Sequence, residues 1–262
     1  MLPAGPHSAS PDPVRVAVVI PAHDEAAAIA GVVRGVLSAG TAFPLSEVIV
    51  TDDGSRDSTA RILAELAAEE PRLTVVTHPR AAGQSAAIHS AVRRATAPVV
   101  AMLDGDGQNP PEDLPKLIAP FLDDAPARLG LVAGQRVGRR DTLSKRLASG
   151  FANRLRGALL QDGTRDTGCG LKAFRRDAFL MLPYFDHMHR YLPALFQRDG
   201  WEVRHVDVGH RPREGGRSKY TNLGRGLVGA VDLVGVSWLI RRRKRALTPA
   251  DLLAGGQDGP TC

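Results

Sequence analysis

Val99-Val100-Ala101-Met102-Leu103-Asp104-Gly105-Asp106-Gly107-Gln108-Asn109-Pro110-Pro111-Glu112 is the stretch around which the rest of the chain is read. Its first five residues are apolar and suit a strand buried on both faces; carboxylates, glycines and two prolines then break the chain at once. The acids therefore stand where a strand ends. In open α/β sheets the ligand crevice lies at the carboxyl ends of the strands, which would present Asp104, Asp106 and Gln108 to a ligand. Hard oxygen donors at this alternate spacing suit Mg2+ or Mn2+, ions that bind through one or two carboxylates together with substrate phosphates. The same letters also suit an acidic surface turn, so the flanking sequence has to decide.

Upstream, 14–20 is a mostly β-branched run ending at Pro21, followed by Ala22-His23-Asp24-Glu25 and a helix over 26–38 whose Ile29, Val32, Val33 and Val36 share one face. A second strand, 47–51, also ends in acids, Asp52-Asp53-Gly54-Ser55. A helix over 57–69 with Asp57 as its N-cap comes next, then a strand over 73–77 and a helix over 83–95. Strand and helix alternate as in βαβ units, which predicts an α/β fold with a parallel sheet. Two strands thus deliver carboxylates to one sheet edge. No Gly-x-Gly-x-x-Gly follows the first strand and no Gly-x4-Gly-Lys-Ser/Thr occurs, which argues against a dinucleotide fingerprint and a P-loop.

The 262 residues carry a net charge of +6, but unevenly. Residues 1–133 hold 16 acids against 10 bases, whereas residues 134–245 hold 24 bases against 10 acids. Such a basic half predicts phosphate-bearing partners or an anionic membrane surface. Aromatics are 5% of the chain, with no basic-aromatic platform for single strands, and nucleic acid is the weaker choice. Two cysteines, Cys169 and Cys262, build neither a disulfide framework nor a zinc site, and residues 1–13 lack the apolar core of a signal peptide. Both point to a reducing, cytoplasmic setting.

Within the basic half a helix over 142–160 repeats Leu143, Leu147, Phe151, Leu155 and Leu159 every four residues, with Lys145, Arg146, Arg154 and Arg156 among them. An ordinary solvated helix would look the same. Residues 166–174 are Gly-rich and allow close backbone approach. His187, His189 and His210 lack a metal-site spacing and read as structural, with His189 near the pocket. After a strand over 201–208, the run from His210 to Tyr220 reads as a cationic lid. Residues 226–240 are apolar and precede Arg241-Arg242-Arg243-Lys244-Arg245; fifteen helical residues span about 22 Å, too short to cross a bilayer, and suit an in-plane helix with Trp238 at the interface.

Val18-Val19-Ile20-Pro21-Ala22-His23-Asp24-Glu25, Asp52-Asp53-Gly54-Ser55, Asp104 to Gln108 with Pro110-Pro111-Glu112, and Asp166-Thr167-Gly168-Cys169-Gly170 together resemble family 2 glycosyltransferases, and within them the dolichol- or polyprenyl-phosphate enzymes, over about residues 14–219. His23-Asp24 stands where that family has an aromatic and Asn, and Gly107 where Leu is common. The resemblance implies a GT-A-type nucleotide-binding sheet flanked by helices, with a C-terminal interfacial helix. With the composition of its ends, the chain is expected to comprise a disordered lead-in over 1–13, a catalytic domain over 14–222, a membrane-associating basic segment over 223–245 and a flexible tail over 246–262. It further implies that Pro21, Ala22, Glu25, Asp53, Gln84 and Asp104 hold a nucleotide-sugar donor, that Asp106 and Gln108 ligate Mg2+ or Mn2+, and that Asp104, Asp106 and Asp166 are catalytic. Arg136, Arg146, Arg213, Ser218 and Lys219 match positions that hold the acceptor phosphate.

The activity so implied is inverting transfer of one sugar, from a UDP-sugar in preference to a GDP-sugar, to a polyprenyl phosphate at the cytoplasmic membrane face. The tract Asp186 to Tyr191 resembles bacterial enzymes that supply lipid-linked sugars for envelope or lipopolysaccharide modification. A nucleotidyltransferase could use a similar metal site, and a non-catalytic module could bind a nucleotide-sugar at a membrane. A processive polysaccharide synthase fits poorly, because Gln197-Arg198-Asp199-Gly200-Trp201 does not match Gln-x-x-Arg-Trp.

Overall fold

The computed structural model describes residues 14–123, 128–137, 156–157, 159–212 and 222–242. The expected lead-in and tail, the run 243–245, most of the helix expected over 142–160, and Arg146, Arg213, Ser218 and Lys219 lie outside these residues.

Seven strands form one sheet: β1 (Val16–Ala22), β2 (Leu45–Asp52), β3 (Leu73–Thr77), β4 (Val99–Met102), β5 (Leu129–Arg136), β6 (Lys172–Arg175) and β7 (Glu202–Val208), in the order β3-β2-β1-β4-β6-β5-β7. β1 pairs in parallel with β2 and β4, and β2 with β3, as the alternation predicts. The sheet is not wholly parallel. β6 runs antiparallel to both β4 and β5, while β5 and β7 are parallel. Six strands therefore point their carboxyl ends to one edge, and reversed β6 begins at that same edge.

Side chains alternate across the sheet and feed two apolar layers. Val16, Val18 and Ile20 join Ile29, Val32, Val33 and Val36 of α1 (Ile29–Ala39), Leu63 of α2 (Thr59–Glu69) and Leu117 of α4 (Leu114–Leu122). Ala17 and Val19 join Ile88 and Val92 of α3 (Gln84–Arg94), Phe179 of α5 (Arg176–Leu180), Leu195 and Phe196 of α6 (Leu192–Arg198) and Val236 of α7 (Asn222–Arg241).

Several expected boundaries move for local reasons. Strand β1 runs through Pro21 to Ala22. Val19 accepts from Leu103 N on the β4 side and Ala22 accepts from Asp53 N on the β2 side, so the missing N–H of Pro21 faces β4 beyond the last pairing, Val19 with Met102. Helix α1 starts at Ile29, after a turn in which the Glu25 carbonyl accepts from Ala28 N and Ile29 N. Asp57 lies one residue before the N-cap position, Ser58, and accepts from Thr59 N at 2.9 Å. Helix α7 has 20 residues rather than fifteen, about 30 Å by its rise. Among the described residues no helix is long and apolar enough to cross a membrane. Val236 and Ser237 of α7 are buried, while Val231, Val234 and Trp238 are 66%, 69% and 59% exposed along one stripe, with the Arg242 guanidinium 5.7 Å from the Trp238 ring centre.

Candidate active site

Every strand that ends at the common edge contributes. Asp104 follows β4, and both of its carboxylate oxygens are engaged: Oδ1 accepts from Gln84 Nε2 at 2.7 Å and Oδ2 from Asn109 Nδ2 at 3.1 Å. Gln84 and Asp104, both expected donor-site residues, are thus joined directly. Burial, then the neighbouring Asp106 charge, push Asp104 above its ordinary value, opposed by Lys172 and Arg136. Asn109, which the sequence reading passed over as a residue before a proline pair, is only 2% exposed and holds this carboxylate from below.

Past Asp104 the chain turns sharply. Gly105 sits where a Cβ would come within 2.9 Å of the Pro21 carbonyl, and Gly107 has φ +76°, a conformation that disfavours the Leu common in relatives of this motif. The Gln108 amide N–H donates to Asp106 Oδ1 at 3.1 Å, which sets Asp106 and Gln108 in one tight turn. A carboxylate and a side-chain amide on such a turn are hard oxygen donors, and two of them leave room for phosphate oxygens and water around a divalent ion. Among the described residues no group of three His, Cys, Asp or Glu side chains could hold a metal by itself.

At the β2 end the Asp53 carboxylate is engaged by the chain itself. Asp53 is 5% exposed, and its carboxylate accepts from Ala82 N and Gly83 N, each at 2.8 Å, and from His78 Nδ1 at 2.7 Å. It clamps the loop that precedes α3 and so sets the position of Gln84. Pro21 and Ala22 are buried at the end of β1. His23 donates from Nδ1 to the Asp53 carbonyl at 2.8 Å, and Glu25 N donates to Thr59 Oγ1 at 2.9 Å, leaving the side chains of both half-buried beside the β1 and β2 ends.

On the other side of Asp104 lies the first part of the basic half. Arg136, at the end of β5, grips Asp166 with Nε at 2.5 Å and one terminal nitrogen at 2.8 Å from the two carboxylate oxygens. Both side chains are 13% exposed, and the pairing raises the Arg136 value further. An expected acceptor-binding residue and an expected catalytic residue are therefore one fork-to-fork pair. Gln135 accepts from Arg165 N and Asp166 N and fixes this corner. Gly168 lies close beside it, where a Cβ would be 2.8 Å from the Arg136 guanidinium.

The segment after β7 returns to the metal-type turn: Gly209 N donates to Asp113 Oδ2 at 2.6 Å and Arg211 N to the Gln108 carbonyl at 2.9 Å. The base of the expected cationic lid is thus held against Gln108. His189 is buried and hydrogen-bonds Ser85 Oγ at 2.8 Å, one residue from Gln84; burial, then Lys172, hold it well below its ordinary value. His187 bonds Asp232 of α7 at 3.1 Å.

Residues 17–181 match the family described as glycosyl transferase family 2. The undecaprenyl-phosphate 4-deoxy-4-formamido-L-arabinose transferase of Pectobacterium carotovorum subsp. carotovorum is 32% identical over 210 residues, 79% of this chain and 63% of that protein. A dodecaprenyl-phosphate galacturonate synthase of Rhizobium johnstonii is 30% identical over 242 residues, 89% of this chain and 70% of that protein. The chain thus spans somewhat under two thirds of the length of the arabinose transferases. Among solved structures, glucosyl-3-phosphoglycerate synthase of Mycobacterium tuberculosis, in complex with Mn2+, uridine diphosphate and glucosyl-3-phosphoglycerate, superposes with TM-score 0.67 at 19% identity over 88% of this chain and 81% of that one. That likeness concerns the fold. From its matched residues and its relatives, the chain belongs to glycosyl transferase family 2.

Proposed function

We propose that the protein transfers one sugar, with inversion, from a nucleoside-diphosphate sugar to the phosphate of a polyprenyl lipid at the cytoplasmic membrane face, and that the product serves envelope glycan or lipopolysaccharide modification. One observation carries the reading: an oxygen-donor turn, Asp106 to Gln108, and an arginine fork, Arg136, flank the same half-buried carboxylate, Asp104. The relatives named for undecaprenyl- and dodecaprenyl-phosphate sugar transfer support this choice of acceptor. A uridine donor is favoured, in line with the uridine diphosphate bound to the structural neighbour.

Asp106 and Gln108 would hold Mg2+ or Mn2+, which when bound offsets the charge of the leaving diphosphate. Gln84 and Asn109 fix Asp104 so that it stands beside the donor without rotating. Asp53 shapes the nucleoside side by holding residues 82–83, and Pro21, Ala22 and Glu25 border it. The acceptor phosphate is already largely a dianion at neutral pH, its second pKa being about 6, so no strong base is required to activate it. Arg136 uses Nε and one terminal nitrogen on Asp166, and its other terminal nitrogen has no hydrogen bond among the described residues; it can take a phosphate oxygen while Asp166 keeps the guanidinium in place. Arg146, Arg213, Ser218 and Lys219 complete the acceptor side in this proposal. The exposed Val231, Val234 and Trp238 stripe, with Arg241 and Arg242 at its end, suits a helix lying in an anionic membrane surface.

The test is product identity. Radiolabelled UDP-sugars and GDP-sugars are incubated with polyprenyl phosphate and Mg2+ or Mn2+, and the lipid phase is analysed. Label recovered as a polyprenyl monophosphate sugar of inverted anomeric configuration supports the proposal; label confined to the aqueous phase with every donor sinks it.

A further inference from the structure

Lys172 is the most deeply placed cation of the site, and no motif singled it out. It is the first residue of reversed β6, paired in register with Met102 of β4 and Ala133 of β5, and is 3% exposed. An ammonium in such a place is costly unless anions and acceptors surround it. Its one hydrogen bond among the described residues goes to the Cys169 carbonyl. Burial is the largest influence and lowers its value; Cys169, then the Asp104 and Asp166 carboxylates, favour its ionised form, and Arg136 opposes it. Seen from Asp104, Lys172 is the foremost opposing charge. The lysine therefore stands between the carboxylate assigned to the donor side and the Arg136–Asp166 pair assigned to the acceptor side.

Its hydrogen bond has a mechanical consequence. Cys169 and Gly170 form the strap that passes over Asp104, so close that a Cβ at Gly170 would lie 2.6 Å from Asp104 Cγ and 2.7 Å from Asn109 Nδ2. Asp166 and Gly168 lie just before that strap and carry the Arg136 fork. A group that anchors the Cys169 carbonyl from the sheet edge thus fixes the separation between Asp104 and Asp166. Methionine would fill the same volume but would leave the carbonyl unpaired and two carboxylates with one compensating charge fewer. Arginine would keep the charge.

We propose that Lys172 is a positioning residue of the transfer site: anchored on the Cys169 carbonyl, its fixed positive charge faces the Asp104 and Asp166 carboxylates, holds the 169–170 strap between them, and lowers the repulsion that a diphosphate and a lipid phosphate meet on entering. This rests on the glycosyl-transfer reading for the identity of the anions, while the charge arrangement itself does not depend on it.

The experiment compares the full-length protein with Lys172→Met and Lys172→Arg. Mn2+ binding is followed by electron paramagnetic resonance without nucleotide, UDP and GDP binding by calorimetry with Mn2+ present, and kcat and KM by nucleoside diphosphate release. A cation facing the carboxylates weakens metal binding, so Lys172→Met should bind Mn2+ about tenfold more tightly, the order expected for removing one charge across a partly screened gap of several ångströms, and Lys172→Arg should bind it as the wild type does. The nucleotide should bind at least fivefold more weakly to Lys172→Met, kcat should fall more than KM rises, and Lys172→Arg should recover most of both. A merely structural lysine would lower the melting temperature of both variants and leave Mn2+ and nucleotide affinities unchanged; that result overturns the proposal. If Mn2+ affinity shifts as stated but no nucleotide binds the wild type, the donor reading fails and the placement of Lys172 stands. Absence of Mn2+ binding in all three proteins even when UDP is present overturns both.

Discussion

Replacing Gly170 with Ala tests how tightly the strap is drawn over Asp104. The new methyl carbon would stand 2.6 Å from Asp104 Cγ and 2.7 Å from Asn109 Nδ2. Carbon atoms in contact prefer about 3.5–4.0 Å, so something must move by about 1 Å. The strap is held at Cys169 by Lys172, and Asp104 is held by Gln84 and Asn109, so no neighbour can withdraw at no cost. The least costly outcome is rotation of Asp104 with loss of one charge-assisted hydrogen bond, about 2 kcal/mol. At 2–4 °C per kcal/mol for a domain of this size, the melting temperature should fall by roughly 4–8 °C. A displacement of about 1 Å at a group that lines the reacting diphosphate should cost about 100-fold in kcat/KM. Thermal melts and initial rates of nucleoside diphosphate release measure the two effects. Gly31→Ala in α1, where a Cβ meets nothing within 4 Å, is the matched control and should gain about 0.5–1 kcal/mol at unchanged rate. If Gly170→Ala melts and turns over within threefold of the wild type, the strap does not press on Asp104 and the close approach plays no part in the site.

Asp106→Ala should abolish turnover while leaving the melting temperature within a few degrees of the wild type, and EDTA should do the same to the unmodified protein until Mg2+ or Mn2+ is restored; normal rates in either case would remove the metal role from this turn. His189 is held neutral in the fold, well below the ordinary histidine value of 6.5. The unfolded chain therefore binds the extra proton first as pH falls, and the stability from this residue, fully present above about pH 6.5, is lost below it at up to about 1.4 kcal/mol per pH unit. Melts from pH 7.5 to 5.5 should show that decline, and a slope no shallower in His189→Asn would contradict it. Trp238→Glu should weaken binding to vesicles containing anionic lipid by about tenfold, with turnover on a short, water-soluble polyprenyl phosphate analogue unchanged; equal vesicle binding would remove α7 from the membrane contact.

The sequence announces the left half of the sheet because its strands are β-branched runs that stop at acids or Pro, and the helices between them carry apolar residues at helical spacing. Reversed β6 is invisible by the same rule. Lys172-Ala173-Phe174-Arg175 begins and ends in cations, yet Ala173 and Phe174 are both wholly buried, one in each apolar layer, and the flanking charges are absorbed by the site edge and by the Leu129 carbonyl. Motif position points to Asp104 and Gln84, and they meet at 2.7 Å. Asn109 and Lys172 carry no such signal, since a residue before Pro-Pro reads as turn punctuation and a lysine opening a short strand reads as surface. Only the three-dimensional arrangement places Asn109 against Asp104 and Lys172 under the strap that covers it. Asp53 illustrates the opposite case: its position was legible, but its engagement with Ala82, Gly83 and His78 follows from a loop crossing between strands that no local pattern records. The separate expectations for Arg136 and Asp166 merged for a similar reason, because 30 residues apart in sequence they form one pair.

The most direct test of the transfer proposal is a two-by-two measurement of nucleoside diphosphate release from UDP-sugars and GDP-sugars, with divalent metal present or absent and polyprenyl phosphate present or absent. The proposal predicts release well above background only when both are present, with one nucleoside preferred. Release that is indifferent to the lipid phosphate, or background rates under all four conditions with every donor, would contradict it.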